Sequence, residues 1–371
     1  MTPSPDRLSH EALWEEVAAI ARQASSVTMD EGRLEVLARA LSAAVPEAQV
    51  PFWRDPVGHP GVMPEVNDAA AIQFVFVYMA CCFCIWRTGP RGVEAWPCTV
   101  GGRALWGAEA LAACHRRAIA EGLDLLDPAL LRDLTLGDIE YIFRDEADGW
   151  TSLQLLEQRL QKYREIGRVL LERYDGHFAN LLERAEGGLF RPDGQGIIQQ
   201  LLLTFPITFG DLPFAKLAMV AAKTLWDRRR VLVPTTSEFE RLTKFADLER
   251  LEAAADYYIP FFLLRHGVIT VSADLLATLT ARDHLEAESG PEREIRAFTM
   301  VAMRRLHERT GIPMADLDSI CWAAGASGCR RCRIGVDPVL VPCAVRSSCL
   351  GYQEEPARMA AGWPLVLTTR Y

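Results

Sequence analysis

Residues 69–86, AAAIQFVFVYMACCFCIW, form an apolar run broken only by Gln73. Such a run must be hidden from water on every side. Its length is near the threshold for a membrane span. Gln73 interrupts it and no second candidate accompanies it, so the reading is a buried central helix running to Trp86, with no membrane partner. The rest of the chain must then supply helices with one apolar face to cover it.

That is the pattern the sequence shows. Leu153, Leu156, Leu160, Tyr163, Ile166, Leu170 and Tyr174 form one helical stripe. Residues 13–23, 32–44, 107–122, 197–205, 214–229, 238–254, 261–266 and 292–310 also read as helices, with Asp30 capping the second and Asp175 capping a helix from His177. Residues 93–100 read as a strand turning at Gly101-Gly102. No long alternating pattern calls for a large sheet. The expected class is mainly α with at most a small β-hairpin. The chain of 371 residues is expected to be one compact domain. It would comprise N-terminal helices and a loop (1–66), a core (67–322) and a Cys-rich segment (323–371).

Half of the residues are apolar and the net charge is −9, which fits a globular protein and argues against a duplex nucleic-acid partner. The N-terminus has no basic stretch leading into an apolar one, so no secretory signal is expected. Ten cysteines without such a signal point to a reducing, cytoplasmic setting.

Two acidic residues stand in apolar, aromatic surroundings: Asp211 in TFPITFGDLPFAK and Asp256 in LEAAADYYIPFFLLRHG. A carboxylate there is costly unless it is paired or used. Each is a candidate for chemistry, and Asp256 is equally a candidate helix cap.

These segments carry a resemblance. Phe205-Pro206-Ile207-Thr208-Phe209-Gly210-Asp211 resembles the FPxFxD motif of the queuosine salvage family, with one extra residue. Ala255-Asp256-Tyr257-Tyr258-Ile259-Pro260 is similar to its ADYxxP motif, and Glu292-Arg293-Glu294-Ile295-Arg296 to its E-x-E-I-R. Glu165 to Phe178 and Leu317 to Trp322 resemble further blocks, in family order. The resemblance implies hydrolysis of queuosine 5'-phosphate to free queuine. It also implies a helical domain similar to helix-hairpin-helix DNA glycosylases, in which a loop carboxylate faces the glycosidic bond. No cofactor is required, and the partner is a small nucleotide.

N-glycoside hydrolysis passes through an oxocarbenium-like sugar. Queuine is a 7-deazaguanine, so protonation at N7 is closed as a route. Asp256 is expected beneath the sugar, handling the water. Asp211 is expected at the guanine-like edge of the base, although sequence leaves these roles exchangeable. Phe83 and Trp86, three apart on the expected helix, are candidate stacking faces, and Tyr257 beside Asp256 joins the substrate-binding set. Lys216, Arg265 and His266 are candidate phosphate contacts. His177 is a candidate general acid, or a surface cap. Glu294 and Arg296 point to different sides of their helix and read as a brace. The chain departs from the family at Cys82-Phe83-Cys84-Ile85-Trp86, where Asn-Phe-x-Phe-Trp is usual. It departs again at Lys216-Leu-Ala-Met219, where Lys-Arg-Ala-Gln is usual.

Cys321, Cys329, Cys332, Cys343 and Cys349 give a competing signal, with a CxxC at Cys329 and Cys332. They fit a structural zinc site, an iron–sulfur cluster, or free thiols. The alternatives in function are a cluster-bearing DNA glycosylase-like enzyme and a non-catalytic Cys-rich metal-binding module.

Overall fold

The apolar run is helical only over its first part, Asp68–Met79. The structure, a computed structural model, describes residues 5–48, 68–89, 92–229, 236–333, 343, 345–353 and 360–371. The expected helix to Trp86 is therefore too long. Arg159, fully buried, draws the backbone out of the helix. Its guanidinium donates to the carbonyls of Cys81 (2.6 Å) and Phe83 (2.8 Å), and Cys84 adopts φ 44°. Trp86 begins a strand, Trp86–Gly89.

Gln73, the polar interruption, is satisfied inside the protein. Its amide donates to the carbonyls of Leu126 and Gly176 (both 3.2 Å) and accepts from the N–H of Phe178 (3.0 Å). The Asp68–Met79 helix packs against the helices Gly107–Ala120, Phe178–Ala185 and Lys216–Arg229. Among the described residues no helix is long and apolar enough to cross a membrane.

The chain is mainly helical and groups into two compact units. One comprises residues 1–10, 52–250 and 369–371, and the other residues 11–51 and 251–368. The loop expected up to residue 66 lies outside the described residues from 49 onward.

In the first unit the stripe from Leu153 to Tyr174 builds the helix Leu156–Arg173, which packs on Pro128–Asp133 and Leu136–Ile142. The approach is close at Gly167, where a Cβ would collide with the backbone of Pro128 and Arg132. Asp175 does not cap the next helix; His177 occupies that position, without a side-chain hydrogen bond. The strand expected over residues 93–100 is two strands, Gly92–Ala95 and Pro97–Val100. The latter turns at Gly101-Gly102 into Arg103–Trp106.

In the second unit Asp30 caps its helix as expected, accepting from the N–H of Arg33 (2.9 Å). Residues 251–257 are not helical, contrary to the expected helix 238–254, which is broken into the α-helix Ser237–Leu242 and a 3-10 turn at Leu248–Arg250. The helix Tyr258–His266 follows and packs on Met314–Ala323 and Gly290–Thr310. Val27–Met29 pairs antiparallel with Ile269–Val271, and His284–Leu285 pairs parallel with Leu365–Val366. Among the described residues there are four two-stranded pairings rather than one hairpin. Local pattern misses pairings whose partners lie far apart in sequence.

His115 is fully buried in the first unit. Its Nδ1–H donates to the Leu111 carbonyl (2.7 Å), and Nε2 accepts from the Tyr163 hydroxyl (2.6 Å). That geometry suits the neutral ring, and burial pushes its pKa down to about 4. Below the unfolded value near 6.5 the unfolded chain takes up a proton that the folded chain refuses. The stability is therefore present above pH ~6.5 and lost as pH falls toward ~4. The size is on the order of 3 kcal/mol. The melting temperature should fall over that window, and His115→Asn should make the fall shallower. A variant with the wild-type acid dependence would contradict this account.

Candidate active site

Each of the two candidate carboxylates sits at the entry to a helix. Asp211, 2% exposed, accepts through Oδ2 from the N–H of Lys216 (3.1 Å), the first residue of the helix Lys216–Arg229. Asp256, 4% exposed, accepts through Oδ1 from the N–H groups of Tyr258 (2.8 Å) and Ile259 (3.1 Å). The capping reading of Asp256 is therefore realised, and it places one carboxylate oxygen at a helix N-terminus.

The loops that present these carboxylates are held by buried charges on neighbouring helices. In the first unit Glu165 accepts from the N–H of Ile207 (3.0 Å) and of Thr208 (2.7 Å). Lys162 Nζ donates to the Thr208 carbonyl (3.0 Å) and stands 4.4 Å from the Phe83 ring centre. Lys216 Nζ donates to the Cys82 carbonyl (3.2 Å). The Arg159 guanidinium lies 4.2 Å from the Phe83 ring centre. Phe83, Lys216 and Asp211 are thus brought together around one set of loops, with Arg159 and Lys162 beside the Phe83 ring. Burial pulls the Lys162 ammonium down to about 7, with the positive charges of Arg159 and Arg370 adding to the effect.

In the second unit Asp318 accepts from the N–H of Ala254 (2.7 Å), and Arg296 donates to the carbonyl of Ala255 (3.1 Å). These two bonds fix the residues just ahead of Asp256. Glu294 instead accepts from the N–H groups of Ser25, Ser26 and Val27 (3.1, 2.7 and 3.0 Å). Glu294 and Arg296 are the two-sided brace that their spacing implies. Tyr257 packs edge-on to Tyr258 (4.6 Å), and Tyr258 meets Trp322 (5.8 Å) and Trp363 (5.6 Å). Asp256 therefore lies at the head of an aromatic cluster.

The remaining candidates make contacts of their own. Trp86 is buried, with its carbonyl accepting from Gln154 (2.6 Å), and it does not share a helix face with Phe83. His177 is exposed at the start of the Phe178–Ala185 helix. Arg265 and His266 are buried against the C-terminal segment. Arg265 donates to the Cys329 carbonyl (3.5 Å), and His266 Nδ1 lies 3.0 Å from the Ser348 hydroxyl. Burial pushes His266 down to about 3, so its ring is neutral at pH 7. Cys321, Cys329 and Cys349 are buried, and Cys332 and Cys343 are half-buried. Burial pushes the thiols of Cys321, Cys329 and Cys343 upward. Among the described residues no group of three or more His, Cys, Asp or Glu is arranged to hold a metal ion.

Arg159, Lys162, Glu165, Asp318 and Arg370 are the residues that the sequence does not single out. Three of them share a pattern. Arg159, Lys162 and Glu165 each stand one residue before a member of the apolar stripe, at Leu160, Tyr163 and Ile166. The position does not discriminate, since Arg173 likewise precedes Tyr174 and is exposed.

The model of the family described as queuosine salvage protein matches residues 62–319. The chain belongs to the queuosine salvage protein family. Three relatives carry the name queuosine 5'-phosphate N-glycosylase/hydrolase. The one from Sphaerobacter thermophilus is 28% identical over 314 residues, covering 82% of this chain and 90% of its own. The one from Bos taurus is 26% identical over 288 residues, covering 76% and 79%. The one from Nematostella vectensis is 27% identical over 258 residues, covering 69% and 70%. Within this queuosine salvage family member the matched span contains both buried carboxylates and Glu165, Arg296 and Asp318.

The brace on the Asp211 loop is testable by itself. Glu165→Ala leaves two loop N–H groups without their acceptor, and should destabilise the fold by about 1–3 kcal/mol in denaturant unfolding. Glu165→Gln, which keeps one good acceptor oxygen, should fall between. An alanine variant as stable as the wild type would remove Glu165 from this role.

Proposed function

We propose that this protein hydrolyses the N-glycosidic bond of queuosine 5'-phosphate, releasing queuine and ribose 5-phosphate for tRNA queuosine salvage. The observation that carries the reading is the family match over residues 62–319, which spans the two buried carboxylates. The relatives' shared name supports the same substrate and reaction.

In this reading Asp256 stabilises the positive charge that develops on the sugar and orients the attacking water. The backbone N–H groups of Tyr258 and Ile259 fix one of its oxygens, so the carboxylate need not reorganise as charge develops. Asp211 accepts from N–H donors on the guanine-like edge of the base. Phe83 offers the base a flat face, and Lys216 supplies positive charge for the phosphate. The scaffold is of the helix-hairpin-helix glycosylase kind, and two carboxylates with water suffice, without a cofactor. A net charge of −9 suits a small nucleotide rather than a DNA duplex. The free cysteines agree with a reducing cytoplasm.

The test is incubation with queuosine 5'-phosphate and chromatography for free queuine. The nucleoside lacking phosphate should turn over at least ~10-fold more slowly, because remote binding energy positions the reacting bond. Asp256→Asn retains the cap but loses the charge, and should lower turnover by ~10²-fold or more with little change in binding. No base release by the wild type would end this reading. Near-normal turnover of the variant would move the chemistry away from Asp256.

A further inference from the structure

Residues 369–371 belong to the first unit and bond to the segments that carry Phe83 and Asp211. The Cys84 N–H donates to the Tyr371 carbonyl oxygen (2.9 Å), one residue from Phe83. Lys162 Nζ donates to the Thr369 carbonyl (2.6 Å) while its other bond goes to Thr208 (3.0 Å). The Arg370 guanidinium donates to the Gly210 carbonyl, in the peptide that leads into Asp211. Gly210 itself leaves no room to adjust, since a Cβ there would collide with Pro206. Three consecutive residues therefore bond to the Phe83 segment, to the helix Leu156–Arg173 and to the Asp211 loop. They lie outside the family-matched span of 62–319.

We propose that Thr369-Arg370-Tyr371 is a clasp that sets the position of Asp211 relative to Phe83, with Lys162 and Arg370 as positioning residues. The inference rests on the function proposed above. It assigns these residues no contact with the substrate. The physical case is the number of independent tethers. The Asp211 loop is fixed from one side by Glu165 on the N–H groups of Ile207 and Thr208. The clasp fixes it from the carbonyl side, through Thr208 and Gly210. A loop held on only one side keeps its fold but loses the sub-ångström placement that a carboxylate needs. Lys162 is costly to bury for stability alone. It is buried, bonded to two backbone carbonyls and 4.4 Å from the Phe83 ring centre.

The experiment uses the full chain with Arg370→Ala, Arg370→Lys and Lys162→Met. Two readouts are taken: amide hydrogen exchange over residues 81–86 and 205–212, and kcat and KM for queuosine 5'-phosphate. Arg370→Ala should speed exchange in the 205–212 segment at least ~10-fold, with protection elsewhere unchanged. It should lower kcat by ~10- to 100-fold with KM within ~3-fold. Arg370→Lys, which retains a donor, should recover much of both. Lys162→Met should loosen both segments. Arg370 is half-buried, so its variants keep the test open if Lys162→Met fails to fold. Unchanged exchange at 205–212 in Arg370→Ala would overturn the clasp. So would a kcat within ~2-fold of wild type, or a fall in kcat that the lysine does not relieve. If the wild type releases no base, the functional reading fails while the exchange data still decide whether the clasp exists.

Discussion

Buried charge bonded to loop backbone is the interaction on which this structure depends. Glu165, Lys162 and Arg159 leave one helix to hold the segments around Asp211 and Phe83. Asp318 and Arg296 do the same for the residues before Asp256. An irregular loop can lie inside a protein only if its N–H and C=O groups find partners. Here the partners are acidic and basic side chains on helices, and a hydrogen bond from or to an ionised group is about twice as strong as a neutral one. In each unit the arrangement lets a loop run through buried surroundings and present a carboxylate.

The same logic explains why each carboxylate stands just before a helix. A helix N-terminus supplies N–H donors that no intrahelical carbonyl uses. Tyr258 and Ile259 offer theirs to Asp256, and Lys216 offers its own to Asp211. Capping and chemistry are therefore compatible roles: the cap orients one oxygen, and the charge it carries is what an oxocarbenium-like sugar requires.

Much of the fold was legible in the sequence. The 156–173 helix followed from its apolar stripe, the Asp30 cap from its place ahead of residue 32, and the burial of residues 71–79 from their composition. The two over-long helices share one cause. Hydropathy reports burial, not conformation, so the run to Trp86 looked helical although Arg159 holds Cys81 to Cys84 outside the helix. Residues 251–254 looked helical for the same reason, and Asp318 and Arg296 hold that stretch in a loop. Asp211 and Asp256 stood out as candidates because a carboxylate in apolar sequence is conspicuous, and both are buried. Their braces were hidden, since Lys162 finds Thr208 and Thr369 through folding and no spacing records that meeting.

The central claim is that these two buried carboxylates act on the nucleotide. The most direct measurement is a crystal structure of the Asp256→Asn variant with uncleaved queuosine 5'-phosphate. The account predicts an Asp211 oxygen within about 3 Å of an N–H donor on the base and residue 256 beside the anomeric carbon. A bound nucleotide with neither side chain in reach of its base or sugar would contradict it.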